Sequence, residues 1–484
     1  MALLVTMSDT ATREQAGLRK ELGLGDLVMA QVLCVMGSTW VGIAAKLGRA
    51  HVAFWLGAML LYYVPLAVVV IYLNRMMPLE GGLYQWAKSG FGEMAGFLTA
   101  WNLWVYAVIV TGAIIFVIPT DLGYILGGAG AWIPASKLAT LALTGGVMAG
   151  ITLVAIRGLN TGKWLHNVGS IGIMTAYVIL LGLPLWALMR GTITHFDPIP
   201  WQPPKLSWFG LAIFGQMTVG ALSGFEYVAI LAGESRNAAR TIGQSVVISA
   251  PIIALMFILG TSSVLTFMGS QPINVIGPIP QTMRIALGAV GWAAPLAISL
   301  LMMRAVASAS LIFTGLTRLP MTAGWDNLVP GWFARLHPRW RTPVNSILFV
   351  AALVMLLIFF SMLGVREQEA SQLLAGASIA LYAIAYVALF ALPLLGRRAL
   401  RDALPGWVKI MALAGLIASM VSLVIMVYPI IDVADPGLYA AKICAVVVVS
   451  NLLGVAIYKR GKRRGHRQNP NATAKGAKDA KSNA

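Results

Sequence analysis

The sequence predicts an all-α polytopic membrane protein of twelve transmembrane helices, ten of them forming a five-plus-five inverted repeat with broken helices one and six. Three observations carry that prediction. Hydrophobic residues make up 58% of the 484 and charged residues only 11%, against about 25% charged in a soluble domain. The apolar runs continue for about 20 residues without alternating, which is the length a helix needs to cross a bilayer, whereas barrel strands alternate over roughly 10. Two clusters of small residues interrupt the first and sixth runs near their middles, at Gly37, Ser38 and Thr39 and at Gly220, Ser223 and Gly224.

Residues 1–23 read as a cytoplasmic N-terminal tail. Met1 to Met7 is apolar but short, and the charged "TREQAGLRKELG" that follows has no small-residue cleavage pattern, so a cleaved signal is not expected. Spans are expected near 24–48, 51–74, 94–118, 138–157 and 165–189 for repeat one (about 24–189), and near 207–234, 242–268, 289–317, 344–364 and 371–396 for repeat two (about 207–396). Two extra helices near 406–430 and 437–458 complete a transporter-sized domain over 24–458. The remaining 459–484, "KRGKRRGHRQNPNATAKGAKDAKSNA", is basic, rich in small residues and poor in aromatics, so it is expected to be a disordered cytoplasmic tail.

The formal net charge is +18, a value that in a soluble chain would point to nucleic acid. Here the basic residues collect in short hydrophilic loops and in the tail, so topology accounts for them and no nucleic-acid partner is expected. With the N-terminus inside, Arg75, Lys88, Arg157, Arg318, Arg339 and Arg397 fall on the cytoplasmic side, while Asp121, Asp197, Asp432 and Asp435 fall opposite. The positive-inside rule thus predicts a multi-pass protein of the cell (plasma or inner) membrane with both termini cytoplasmic. Cys34 and Cys444 both sit in apolar runs and read as small packing residues. No metal-ligand spacing and no cofactor motif occur.

The small-residue clusters need a reason, because a glycine inside a helix costs about 1 kcal/mol relative to alanine. Clusters in spans one and six match the pattern of an inverted repeat whose discontinuous helices meet at a binding site. An unwound turn frees N–H groups of one half-helix and C=O groups of the other, where no bulk water satisfies them. A bound zwitterion supplies both partners: its carboxylate suits a half-helix N-terminus and its ammonium suits the carbonyls. The alternative is that Gly37 and Gly224 only permit close helix packing; spacing leaves both readings open.

Three stretches resemble the amino acid, polyamine and organocation superfamily of secondary transporters. "MPLEGGLYQWAKSGFGEMAGFLTAW" is similar to its P-x-x-G-G-x-Y motif, "GFEYVAILAGESRNAAR" to its G-F-E motif with the A-x-E-x-x-N-P-x-R continuation, and "TRLPMTAGWDNLVPGWFARLHPRWRTP" to its loop after the eighth span. The resemblance implies alternating access and an amino-acid substrate driven by protons or by exchange. It implies a carboxylate site at Gly37, Ser38 and Thr39, beside Trp40, and an amino-group site at Ala221, Leu222, Ser223 and Gly224, with Phe225 as a gate. Where relatives carry G-S-G-I-F, this chain has "GSTWV", so Thr39 and Trp40 crowd the pocket. The proline of N-P-x-R is Ala238 here, and a fifth-span lysine of many relatives falls on Ile173, which puts proton coupling through that lysine in doubt.

Among ionisable residues, Glu226 is the first candidate for a coupled proton or a gate, since a carboxyl inside a membrane is costly and usually functional; bracing of its own helix is the other reading. Arg304 pairs with Glu226, lines the substrate path, or snorkels to an interface; the sequence leaves the three open. Glu234, Asn237 and Arg240, with Arg318 and Asp326, form either a charged inner gate or a solvated face. Lys46 reads as an anchor or a coupling group, and His166 as a packing histidine or a titrating one. Ser308, Ser310 and Thr314 supply hydroxyls either to a cation or to their own helix. Trp101, Trp104, Tyr106, Tyr382 and Tyr386 either wall the pocket or pack the core.

The expected function is a secondary active transporter, permease or exchanger, of neutral amino acids, with proton coupling as an open possibility. An amine, polyamine or glutamate/GABA-type antiporter is the alternative within the class. A membrane amino-acid sensor that transports nothing is the alternative outside it. An enzyme is not expected: the chain has no H-E-x-x-H, G-x-S-x-G or P-loop.

Overall fold

The structure is a computed structural model that describes residues 23–77, 82–224, 238–269, 271–288, 291–322, 328, 330–333 and 335–468. Every regular element among the described residues is a helix. Ten are long and apolar enough to cross a membrane, and they fall where the apolar runs predicted, from Gly48–Met76 to Pro436–Arg463. The chain is a multi-pass membrane protein.

The two interrupted spans are the exceptions in form. Span one consists of Leu24–Val35 and Ser38–Ala45, bent by 51° at the break. Span six is described only over Trp208–Ala221, and its continuation lies outside the described residues. Each of the twelve expected segments therefore has a helical counterpart. The last helix, Pro436–Gln468, runs ten residues beyond the expected start of the tail at 459. Helical winding carries straight on from an apolar span into its basic flank, which composition had marked as an end.

Glycines set the closest approaches. A Cβ on Gly169 would collide with the Ala307 Cβ, and one on Gly172 would stand 2.9 Å from the Met303 Cε, so span five lies directly against span eight. Without a hydrophobic drive between helices in lipid, such small-residue seams supply the packing that holds spans together. Span ten, Glu367–Leu395, is the most enclosed, and the last span is the least.

Hydroxyls inside the spans mostly bond their own helix. Thr111, Thr144 and Thr261 each donate to the carbonyl four residues back at 2.7 Å, which removes a polar group from lipid at no cost in packing partners. At one end of the molecule Lys46 Nζ donates to the Ile430 carbonyl at 2.9 Å and Arg49 pairs with Asp197 at 2.9 Å. Elsewhere the Arg397 N–H donates to the Gly90 carbonyl at 3.1 Å.

Candidate functional site

The break in span one begins where Val35 ends the first half-helix. The Met36 N–H still reaches the Val32 carbonyl at 2.9 Å, but Gly37 is extended, with φ −121° and ψ 139°, and Ser38 opens the next helix. Gly37 has no side chain with which to cap that helix, so its first N–H groups are left for another partner. Span six changes its winding before it reaches its glycine. Trp208–Gly215 is α-helical, Gln216–Ala221 is a π turn, and helical structure ends at Leu222. Gly224 adopts φ +128°, a left-handed conformation that a residue with a Cβ rarely tolerates.

The two interruptions border one cavity of about 100 Å³, walled by residues of spans one, three, six, eight and ten. Gly37, Ser38, Thr39 and Trp40 all line it, as the sequence expected. From span six only Gly220 does, among the described residues. Ala221, Leu222, Ser223 and Gly224 are buried without reaching its wall. The reason is Trp40: a Cβ on Gly37 would stand 2.9 Å from the indole Cδ1, and a Cβ on Gly220 would stand 2.7 Å from its Cη2. One indole thus fills the gap between the two breaks, and both flanking positions are glycine because the ring leaves no room for a methyl.

The sixth-span turn is held from its other side. Tyr62 and Ser223 share a hydrogen bond at 2.7 Å, and the Gly224 N–H donates to the Tyr386 hydroxyl at 3.2 Å. Tyr106 lines the cavity and stacks on Tyr382 with ring centroids 3.7 Å apart. Val110, Ala113, Ile114, Leu301 and Ile379 make most of the remaining wall apolar.

Two charged residues face this space. Arg304, from span eight, is 8% exposed and lines the cavity; its Nη2 lies 3.9 Å from the place a Gly37 Cβ would take, beside the exposed start of the second half-helix. Asp121 is 2% exposed and lines the same cavity. The charge pattern had placed Asp121 in an outer loop after span three. Instead, the chain turns at Phe116 and Val117 and starts a new helix, Ile118–Leu126, with Pro119 in its first turn.

A family model described as amino acid permease matches residues 27–450. The chain belongs to that family. Among curated relatives, this permease is 24% identical to an uncharacterized transporter of Legionella pneumophila over 334 residues, covering 68% of this chain and 71% of that one. It is 22% identical to a branched-chain amino acid permease of Bacillus subtilis over 368 residues, covering 72% and 76%. A solved structure of MhsT in complex with L-phenylalanine superposes with a TM-score of 0.58 at 14% identity, covering 84% of this chain and 98% of that one, which establishes a shared fold.

Several other expected residues of the permease lie elsewhere. Trp101 donates to the Ser450 carbonyl at 2.7 Å and stacks near Trp104, so it packs the last span rather than the cavity. Thr314 donates to the Ser310 carbonyl at 2.8 Å, and Ser308 and Ser310 are fully buried; none of the three is on the cavity wall. His166 and Arg318 are also away from it. Ile173 is fully buried. Phe225, Glu226, Glu234, Asn237 and Asp326 lie outside the described residues, as does the side chain of Arg240. Asp121 was missed because Pro, Asp and Gly within "IPTDLG" are ordinary turn signals.

Proposed function

We propose that the protein is a secondary active transporter of amino acids, working by alternating access in the cell membrane with both termini cytoplasmic. The observation that carries this reading is the uncapped helix start at Ser38, opened by the extended Gly37, bordering the cavity with Arg304 beside it. A helix N-terminus with free N–H groups and a neighbouring guanidinium favours a carboxylate. The mostly apolar wall and the small volume favour a neutral side chain over a long cationic one. Family membership and the transporter names of the relatives support the same class.

Proteoliposome counterflow tests it. Preloaded unlabelled leucine, valine or phenylalanine is expected to drive saturable uptake of the same labelled compound, which neither a channel nor a sensor would do. Absence of exchange with every neutral amino acid, alongside exchange with putrescine or agmatine, would reassign the substrate to amines. Absence with all of them would overturn transport. For the coupled proton, Glu226 is the candidate, and E226Q is expected to abolish the pH dependence of uptake.

A further inference from the structure

We propose that Asp121 is the group that binds the ammonium of the substrate, in place of the sixth-span turn; this rests on the amino-acid reading above. Asp121 is the only acidic side chain on the cavity wall among the described residues. It is 2% exposed, and its Oδ1 is buried without a hydrogen-bond partner among those residues. A buried carboxylate oxygen left without a donor is a costly arrangement that an incoming N–H donor relieves.

The sixth-span turn is poorly placed for this task. Ala221 to Gly224 do not reach the cavity, Trp40 stands against Gly220, and Tyr62 and Tyr386 engage Ser223 and Gly224. The wall instead offers one guanidinium, Arg304, next to the open helix start, and one acidic side chain, Asp121. Together they make a dipole that matches a zwitterion: carboxylate toward Gly37 and Arg304, ammonium toward Asp121. Asp121 is held in place without a ligand. Its neighbour Thr120 donates to Glu367 of span ten, and Arg284 donates through Nε to the Tyr124 carbonyl at 2.6 Å and through Nη2 to the Ile125 carbonyl at 2.8 Å. The helix carrying Asp121 is therefore pinned at both ends, so the carboxylate is preorganised.

Ligand affinity of the purified full chain, read by thermal shift with L-leucine and with its 2-hydroxy acid, which keeps the carboxylate and replaces the ammonium by a hydroxyl, is the test. The wild type is expected to prefer leucine by about 100-fold. D121N is expected to weaken leucine at least 30-fold while changing the hydroxy acid less than threefold, and D121E, which keeps the charge, is expected to retain the preference. A wild type that prefers leucine together with a D121N that still prefers it overturns this role for Asp121 and leaves the transporter reading intact. Parallel loss of both ligands in D121N also overturns it, because that is what a carboxylate serving only to neutralise Arg304 would give. If neither variant folds, wild-type discrimination below threefold overturns it. A wild type that binds no amino acid overturns both readings.

Discussion

The indole of Trp40 lies so close to Gly220 that a methyl on that glycine would stand 2.7 Å from the ring Cη2 and 2.9 Å from the Cδ1 of Ile379. Overpacking of this kind costs about 1–3 kcal/mol. Gly220→Ala is therefore expected to lower the melting temperature in detergent. Trp40→Leu should relieve much of that loss, giving a double-mutant coupling energy of about 1 kcal/mol or more. Simple additivity of the two changes would show that the ring and the glycine do not meet.

Trp40→Leu alone should enlarge the cavity, since the ring occupies the gap between the two breaks. The competition profile of counterflow is then expected to move toward bulkier side chains, with phenylalanine and tryptophan gaining on valine. A loss of stability of about 3 kcal/mol, typical of aromatic truncation, accompanies it. An unchanged profile would mean that the indole does not set pocket size.

Tyr386 supplies the acceptor for the Gly224 N–H at 3.2 Å. Tyr386→Phe keeps the tilted ring contact with Tyr382 and leaves that N–H without its partner, at an expected cost of about 1–3 kcal/mol. Because the loss falls on the interrupted part of span six, transport rate should fall more than binding affinity, which separate counterflow and thermal-shift measurements resolve.

Asn102 and Asn451 exchange amide hydrogen bonds, at 2.9 Å in one direction and 3.1 Å in the other. This pair ties span three to the otherwise poorly enclosed last span. Replacing either asparagine by leucine should destabilise the protein by about 0.6 to 2 kcal/mol, the range of interhelical polar pairs in bilayers. Replacing both should cost less than the sum, because no buried amide is then left without a partner. Thermal unfolding of the three variants in nanodiscs checks the order.

Lys46 reaches the Ile430 carbonyl at 2.9 Å, joining the end of span one to the loop after span eleven. Lys46→Ala is expected to cost about 1 kcal/mol, and Lys46→Gln, which keeps a donor, about half of that. Unchanged transport pH dependence in Lys46→Gln is the expected outcome for an anchor, and a flattened one would make this lysine part of the coupling.

The positions of the spans were legible because a bilayer imposes a length and a composition that a single chain must display run by run. The interruption of span one was legible only as one of two readings: glycine, serine and threonine in mid-membrane also serve helix packing, and it took the extended Gly37 to decide between them. Asp121 was not. Its local sequence reads as a loop, and what folds it inward is tertiary: Thr120 on Glu367, and Arg284 on the carbonyls of Tyr124 and Ile125. Trp40 was legible as a departure from the family pattern, but its effect depends on Gly220, 180 positions away, and on a π turn that no periodicity announced.

That π turn, Gln216–Ala221, holds one residue more than regular winding would, and each residue advances the α-helix by about 100° around its axis. Gly220 is the fifth of the six residues in that turn and lies against the Trp40 indole. Removing a single residue from the turn would present a neighbour with a full side chain to Trp40, so the length of this half-span, more than its hydrophobicity, decides whether the two halves of the protein fit together.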